Sequence, residues 1–254
     1  MKTRLDKALV ERGLVGSRER AQALILAGRV LVAEQRVEKP GTPVADGVAL
    51  RVVGEDLKYV SRGGLKLEHA VEHWQISLEG RACADVGAST GGFTDCMLQR
   101  AAASVLAVDT GYGQIAHKLR VDPRVTLRER CNARLLKAGA LSVAVENKQI
   151  SFLAMDVSFI SATLVLPAVV RALAPAGEPW RGEAVVLIKP QFEAGREHVG
   201  KGGIVREQEG WELAIERVKA CVLELDGTDV EVIDSPITGM EGNREYLLHA
   251  KFRG

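Results

Sequence analysis

The segment Asp85-Val86-Gly87-Ala88-Ser89-Thr90-Gly91-Gly92-Phe93 combines a carboxylate, a glycine-rich turn and the start of a new apolar stretch. Glycine lets a backbone approach a ligand closely, and a helix N-terminus offers unpaired N–H groups, so a strand-to-helix turn of this kind suits a nucleotide. Asp109 follows 24 residues after Asp85, at the end of the next expected strand, where a carboxylate can accept both hydroxyls of an adenosine ribose. Two nucleotide classes fit this layout. A dinucleotide needs G-x-G-x-x-G, and here Ser89 stands where the second glycine would admit a pyrophosphate. Asp85 adds negative charge two positions ahead of Gly87, which suits a cationic, amino-acid-bearing ligand such as S-adenosylmethionine better than a pyrophosphate. No G-K-[ST] ending follows, against a phosphate-binding P-loop. The expected cofactor residues are Asp85, Gly87, Ser89, Gly91, Gly92 and Asp109, with Asn132 added because it follows the third strand, where an adenine would lie.

A competing constellation is His69-Ala70-Val71-Glu72-His73, which matches the inverted zinc-protease pattern H-x-x-E-H and would set both imidazoles on one helix face. No downstream ligand completes it, and a solvated outer helix face explains it better, so no metal is expected. His117, His198 and His249 are scattered and assemble no Ser-His-Asp arrangement.

These residues need elements to hold them. Strands are expected near Ala82–Val86, Ser104–Asp109, Val125–Arg128, Phe152–Asp156, Ala184–Lys189, Val230–Ser235 and Tyr246–Lys251. Helices fall between them, among them Gly92–Arg100, Ile160–Leu173 and Glu209–Leu225. Repeated βα order implies an α/β fold, a doubly wound, mostly parallel, seven-stranded Rossmann-like sheet. Residues 1–58 read as a separate, small α+β domain. Leu5, Ala8 and Leu9 suit a helix ending at Gly13; Ser17 can cap a second, Arg18 to Leu26; Val30–Val32 and Val48–Val52 alternate like strands of one small sheet. A linker and helix, about Glu55 to Gly80, lead into the domain at 59–254.

Composition narrows the class. The 254 residues are 46% hydrophobic and 26% charged, ordinary globular values that exclude collagenous and disordered chains. Cys83, Cys96, Cys131 and Cys221 form no C-x-x-C pair, so neither a zinc ribbon nor a disulfide framework is suggested, and reduced thiols point to a cytoplasmic location. Met1 to Val10 lacks an apolar signal core, and the longest charge-free apolar run, Val157 to Val170, is too short to span a bilayer, so no membrane partner is expected. The net charge of +1 hides an asymmetry: residues 1–66 carry 13 Lys and Arg against 8 Asp and Glu, a balance of +5, and the remainder carries −4. A basic module joined to a slightly acidic one is the pattern of an RNA binder whose chemistry sits elsewhere.

Several blocks together resemble one family. Asp85 to Thr94, Val60-Ser61-Arg62-Gly63-Gly64-Leu65-Lys66-Leu67, Asp156-Val157-Ser158-Phe159-Ile160-Ser161, Ile188-Lys189-Pro190-Gln191-Phe192-Glu193 and Gly242-Asn243-Arg244-Glu245-Tyr246 resemble the TlyA hemolysin-type ribosomal RNA 2′-O-methyltransferases. The catalytic half is similar to the FtsJ-type methyltransferase fold. The N-terminal section resembles the alpha-L RNA-binding domain of ribosomal small-subunit protein four, through Arg4-Leu5-Asp6, Leu9, Gly13, Ser17-Arg18, Ala21, Ile25 and Gly28-Arg29-Val30. The resemblance implies S-adenosylmethionine-dependent methylation of a ribose, of cytidine, in ribosomal RNA, with a catalytic tetrad that carries over as Lys66, Asp156, Lys189 and Glu245. The N-terminal arm and the tail after Glu245 are short, which resembles the family's shorter form, acting on the large ribosomal subunit. A hemolytic role finds no membrane-active segment here.

The four residues also make chemical sense alone. Asp156 and Lys189 end expected strands, the edge where doubly wound sheets bind ligands; Glu245 opens the last strand, and Lys66 lies on the helix before the first. A ribose hydroxyl is a poor nucleophile, and methyl transfer is an in-line displacement, so alignment and deprotonation are the main tasks. Lys189 is the expected base, Lys66 depresses it and stabilises the developing alkoxide, and Asp156 and Glu245 orient the lysines. The segment after the fourth strand has no N-P-P-Y-like run and no Pro-Cys nucleophile, which favours an oxygen target. Arg4, Lys7, Arg18, Arg20 and Arg29 are the expected RNA-contacting residues, and Gly195 to Gly203 reads as a mobile flap that orders on RNA phosphate. The alternative, a non-catalytic RNA-binding ribosome assembly factor with a retained cofactor fold, leaves the complete tetrad without a role. A nicotinamide-dependent oxidoreductase rests on fold analogy alone.

Overall fold

In the five central strands of the larger unit, successive side chains enter two different hydrophobic cores. Ala82, Ala84 and Val86 face one core while Cys83 faces the other; Leu106 and Val108 oppose Val105 and Ala107; Leu153 and Met155 oppose Phe152 and Ala154; Val186 and Ile188 oppose Val185 and Leu187. That period of two, apolar on both faces, defines a sheet buried between helical layers. The computed structural model describes residues 2–26, 28–53, 58–142, 149–239 and 242–253, in two compact units, Met1–Asp56 and Leu57–Gly254.

In the first unit β1 (Lys2–Arg4) leads into α1 (Leu5–Glu11) and α2 (Arg18–Leu26), followed by β2 (Val30–Val32), β3 (Gln35–Arg36), β4 (Pro43–Ala45) and β5 (Leu50–Val52). The first helix buries Leu5, Ala8 and Leu9 and stops before Gly13, which sits at φ +67°. Ser17 Oγ accepts the Arg20 N–H at 3.2 Å and starts the second, as expected. The expected small sheet forms, Val30 pairing with Val52 and Val32 with Leu50, and a second, two-stranded sheet that was not expected is present as well. β1 pairs antiparallel with β4, and β2 lies between β3 and β5. Lys2-Thr3-Arg4 has no apolar alternation to announce a strand; its partner strand supplies the reason for it.

The second unit contains α3 (Gly63–His73), β6 (Ala82–Val86), α4 (Gly92–Gln99), β7 (Ser104–Val108), α5 (His117–Arg120), β8 (Val125–Arg128), β9 (Ile150–Met155), α6 (Ala162–Leu173), β10 (Gly182–Ile188), α7 (Pro190–Glu193), α8 (Gln208–Glu224), β11 (Gly227–Asp234) and β12 (Tyr246–Phe252). The expected linker begins at Glu55; positions 55–57 lie outside the described residues. The strands form one seven-stranded sheet in the order β11-β12-β10-β9-β6-β7-β8, with β12 antiparallel to both neighbours and the five from β10 to β8 parallel. Helices α3 and α4 cover one face, through Leu67, Val71, Phe93 and Met97, and α6 and α8 the other, through Val165, Val169, Val218 and Val222. The chain runs outward from β6 to β8 and then returns to β9, so β6 and β9 form the switch point at which such sheets bind ligands.

Helix α6 runs through Pro167 without ending. Proline has no N–H to give the carbonyl of residue 163, one turn earlier. Cys221 Sγ of α8 lies 3.8 Å from that Thr163 oxygen and supplies the missing donor.

Candidate active site

Sheet register brings the four expected catalytic residues to one edge. Val86 pairs with Met155 across β6 and β9, so the next residues, Gly87 and Asp156, stand side by side, and Asp156 N–H donates to the Val86 carbonyl at 2.9 Å. Ile188 pairs with Tyr246 across β10 and β12, which places Lys189 and Glu245 at the same level. Lys66, in the second turn of α3, reaches over the same edge. All four line a cleft of about 210 Å³ together with Ser61, Asp85, Gly87, Ser89 and Gly92.

The charges are arranged as two pairs. Lys66 Nζ donates to Glu245 Oε2, and Lys189 Nζ lies 2.5 Å from Asp156 Oδ1. Lys66 and Lys189 are each 8% exposed and Glu245 4%, so neither pair is a screened surface contact. The Lys189–Asp156 contact is ionic without a directed hydrogen bond, and Asp156 Oδ1 has no hydrogen-bond donor among the described residues. A directed bond from Lys189 goes elsewhere, to Ser158 Oγ at 2.5 Å.

On the cofactor side, Asp85 is fully buried. Its Oδ2 accepts Thr94 N–H at 2.8 Å and Thr94 Oγ1 at 2.6 Å, fastening the first turn of α4, while Oδ1 has no partner among the described residues. Burial pushes the carboxyl up to about 7, the Thr94 hydrogen bonds oppose the rise, and Asp156 and Asp109 add to it. An orphaned buried carboxylate oxygen on the wall of a cleft fits a cationic ligand. Asp109 accepts Ser89 N–H at 2.8 Å and Gly111 N–H at 2.6 Å, shaping the turn; each oxygen retains a further lone pair. The glycines answer a need other than backbone approach to a ligand. A Cβ at Gly87, φ +88°, would collide with the Asp156 carbonyl, and one at Gly92 with Ser61 Oγ and the Gly64 backbone. These positions let the loops of the cleft meet.

Not every expected residue reaches this cleft: Asp109 is not on its wall and meets it through the Ser89 N–H. Gly91 caps α4 in the left-handed conformation behind it. Asn132 is exposed, its Oδ1 accepts Arg134 N–H at 3.1 Å to start the turn Ala133–Leu135, and it is not on the cleft wall. The expected mobile flap is anchored at its far end: Asn243 Nδ2 donates to the Gly203 carbonyl at 3.0 Å, Asn243 Oδ1 accepts Val205 N–H at 3.1 Å, and Trp211 Nε1 donates to the Val205 carbonyl at 3.0 Å. In the first unit Arg4 and Arg18 gather around the buried Asp6, at 2.9 and 3.0 Å from Oδ2, and the Arg4 hydrogen bond above all holds that carboxyl well below the usual carboxylate range. Lys7 pairs with Glu11 at 3.3 Å, and Arg29 Nε donates to the Val53 carbonyl at 3.0 Å. Arg20 contributes its backbone N–H to the Ser17 cap. Within H-x-x-E-H, Glu72 is taken by Arg100 at 2.5 Å and His73 sets its edge against Trp74; no metal-binding cluster of three or more His, Cys, Asp or Glu occurs among the described residues.

Three residues escaped the sequence reading. Ser158 holds Lys189; Glu193 Oε1 accepts the Ala162 N–H at 2.6 Å and Oε2 the Ser161 hydroxyl at 2.5 Å, tying the loop after β9 to the loop after β10. Phe159, 86% exposed at φ +65°, holds its ring 5.7 Å from Phe192. Left-handed backbone is uncommon for a residue with a bulky side chain, and here it presents the ring at the surface in the loop that carries Ser158.

Residues 59–252 match the FtsJ-like methyltransferase family and residues 3–49 the S4 domain. A protein of Mycobacterium tuberculosis named 16S/23S rRNA (cytidine-2′-O)-methyltransferase TlyA is 43% identical over 248 residues, covering 97% of this chain and 89% of the relative. Hemolysin A of Brachyspira hyodysenteriae is 41% identical over 246 residues, 97% of this chain and 98% of the relative. A solved structure from Streptococcus thermophilus, provisionally designated a hemolysin, shares 42% identity over 99% of this chain and 89% of its own, with a TM-score of 0.74. No helix among the described residues is long and apolar enough to cross a membrane. By its sheet order, its matched residues and these relatives, the chain belongs to the FtsJ-like methyltransferase family.

Proposed function

We propose that this chain transfers a methyl group from S-adenosylmethionine to the 2′-oxygen of a cytidine ribose in ribosomal RNA of the large subunit, in the cytoplasm. The observation that carries this reading is the pair of Lys–carboxylate contacts facing one cleft beside the Asp85 turn. When bound, the cofactor supplies an electrophilic methyl on a sulfonium, and Asp85, Ser89 and Asp109 are the residues that would hold it. Lys189 Nζ, as a neutral amine, takes the hydroxyl proton as the ribose oxygen attacks; Lys66 steadies the charge growing on that oxygen. Glu245 and Asp156 fix the two lysines and keep the cleft near neutrality. Phe159 offers a face on which an unstacked base can rest once its ribose enters the cleft. Residues 1–58 grip folded RNA through phosphate and shape, and residues 59–254 do the chemistry.

Lys189→Ala should abolish transfer of tritium from labelled S-adenosylmethionine to large-subunit particles while leaving cofactor binding and the fold intact. Labelling at the wild-type rate by Lys189→Ala would remove the base assignment. Small-subunit particles in parallel report whether the reaction extends to the other subunit. Absence of labelling by wild-type protein would favour an assembly role.

A further inference from the structure

We infer that Ser158 is a positioning residue for methyl transfer, orienting the Lys189 amine so that, once the proton has left, its lone pair is turned into the cleft. This rests on the assignment of Lys189 as the base. Lys189 has two neighbours at 2.5 Å, and they act differently. Asp156 holds it by charge, without a directed hydrogen bond, so its grip is strongest on the ammonium and fades when the proton leaves. The amine that must accept a proton from the ribose is the uncharged one. For that species the Ser158 hydroxyl is the directed contact that remains, because a hydroxyl oxygen accepts an N–H from either form.

Orientation matters because a primary amine turns about its Cε–Nζ bond through three staggered positions, and one of them aims the lone pair at the substrate. Fixing one N–H on Ser158 removes part of that freedom before the reaction begins. Ser158 is itself exposed, in the loop between Asp156 and α6, so the hydroxyl can be removed without opening a cavity. The remaining charged groups around the cleft are Asp156 after β9, Lys66 on α3, Glu245 before β12 and Asp85 at the end of β6.

The test is kcat against pH for wild type, Ser158→Ala and Ser158→Thr, with large-subunit particles and labelled S-adenosylmethionine, plus cofactor Kd by calorimetry. Loss of the hydroxyl should lower the plateau between about threefold and tenfold. It should also move the rising limb to lower pH, because a hydrogen bond that the ammonium donates favours the charged form and its loss favours the neutral one. Cofactor Kd should stay unchanged, and Ser158→Thr should restore both plateau and limb. A Ser158→Ala profile superimposing on wild type, or a lower plateau with an unmoved limb, overturns the inference. Lys189→Ala separates the two claims: wild-type turnover there defeats the base assignment itself, whereas a dead Lys189→Ala beside an unaltered Ser158→Ala defeats only the role of the hydroxyl.

Discussion

Asp85 carries opposing demands: one oxygen fastens α4 through Thr94, and the other is buried without a partner among the described residues. With its carboxyl pushed up to about 7 by burial, the unliganded protein holds a proton there that an unfolded chain would release near 4. Stability of the unliganded protein should therefore fall as pH rises across that window. A cation bound beside Asp85 favours the carboxylate, so cofactor affinity should rise from pH 6 to 8 with proton release on binding, measurable by calorimetry in buffers of different ionisation enthalpy. Asp85→Asn should flatten that dependence and weaken binding about tenfold or more, the loss expected for one charge-assisted contact. Asp85 and Asp109 were legible because chemistry and spacing coincide in one βα unit. Ser158 and Glu193 were not, although both stand in conspicuous blocks, because their partners lie 31 or more residues away and meet them only across parallel strands.

At the scale of elements, the four central parallel strands of the large sheet announced themselves, being mostly apolar runs of five to seven residues broken by turns. Of the small sheets, only the pairing of Val30–Val32 with the strand that ends at Val52 was legible. β2 and β3 are joined by Ala33-Glu34 at φ +47° and +64°, a hairpin turn that usually declares itself with Asn or Gly. Helix α6 was legible as Ile160–Leu173 in spite of Pro167, and the tertiary donor Cys221 offsets the bond that the proline removes. Cys221→Ala should strand the Thr163 carbonyl and lower stability by about 1 kcal/mol or more, whereas Cys221→Ser, a better donor, should lose less; thermal unfolding of the two variants checks the order.

Across the whole molecule, the basic excess of residues 1–66 shrinks when the chain is divided at the boundary of its two units: residues 1–56 carry 10 Lys and Arg against 8 Asp and Glu, and the remainder 24 against 25. RNA affinity should fall steeply with salt, and Lys7→Ala should lower the slope of log Kd against log salt by about one. Arg4→Ala should do the same and also destabilise its unit, because Arg4 is the foremost partner of buried Asp6. A salt-independent affinity would overturn the division of labour.

The antiparallel insertion of β12 has a consequence in time. Glu245 enters the cleft only when β12 fills the gap between β10 and β11, and β12 is the last strand in chain order. Asp85, Asp156 and Lys189 are all translated earlier, on strands that can pair without it. A chain still emerging from a ribosome thus carries most of the cleft yet leaves Lys66 without its counter-charge. The Lys66–Glu245 pair is the contact of the cleft that waits longest for its second partner.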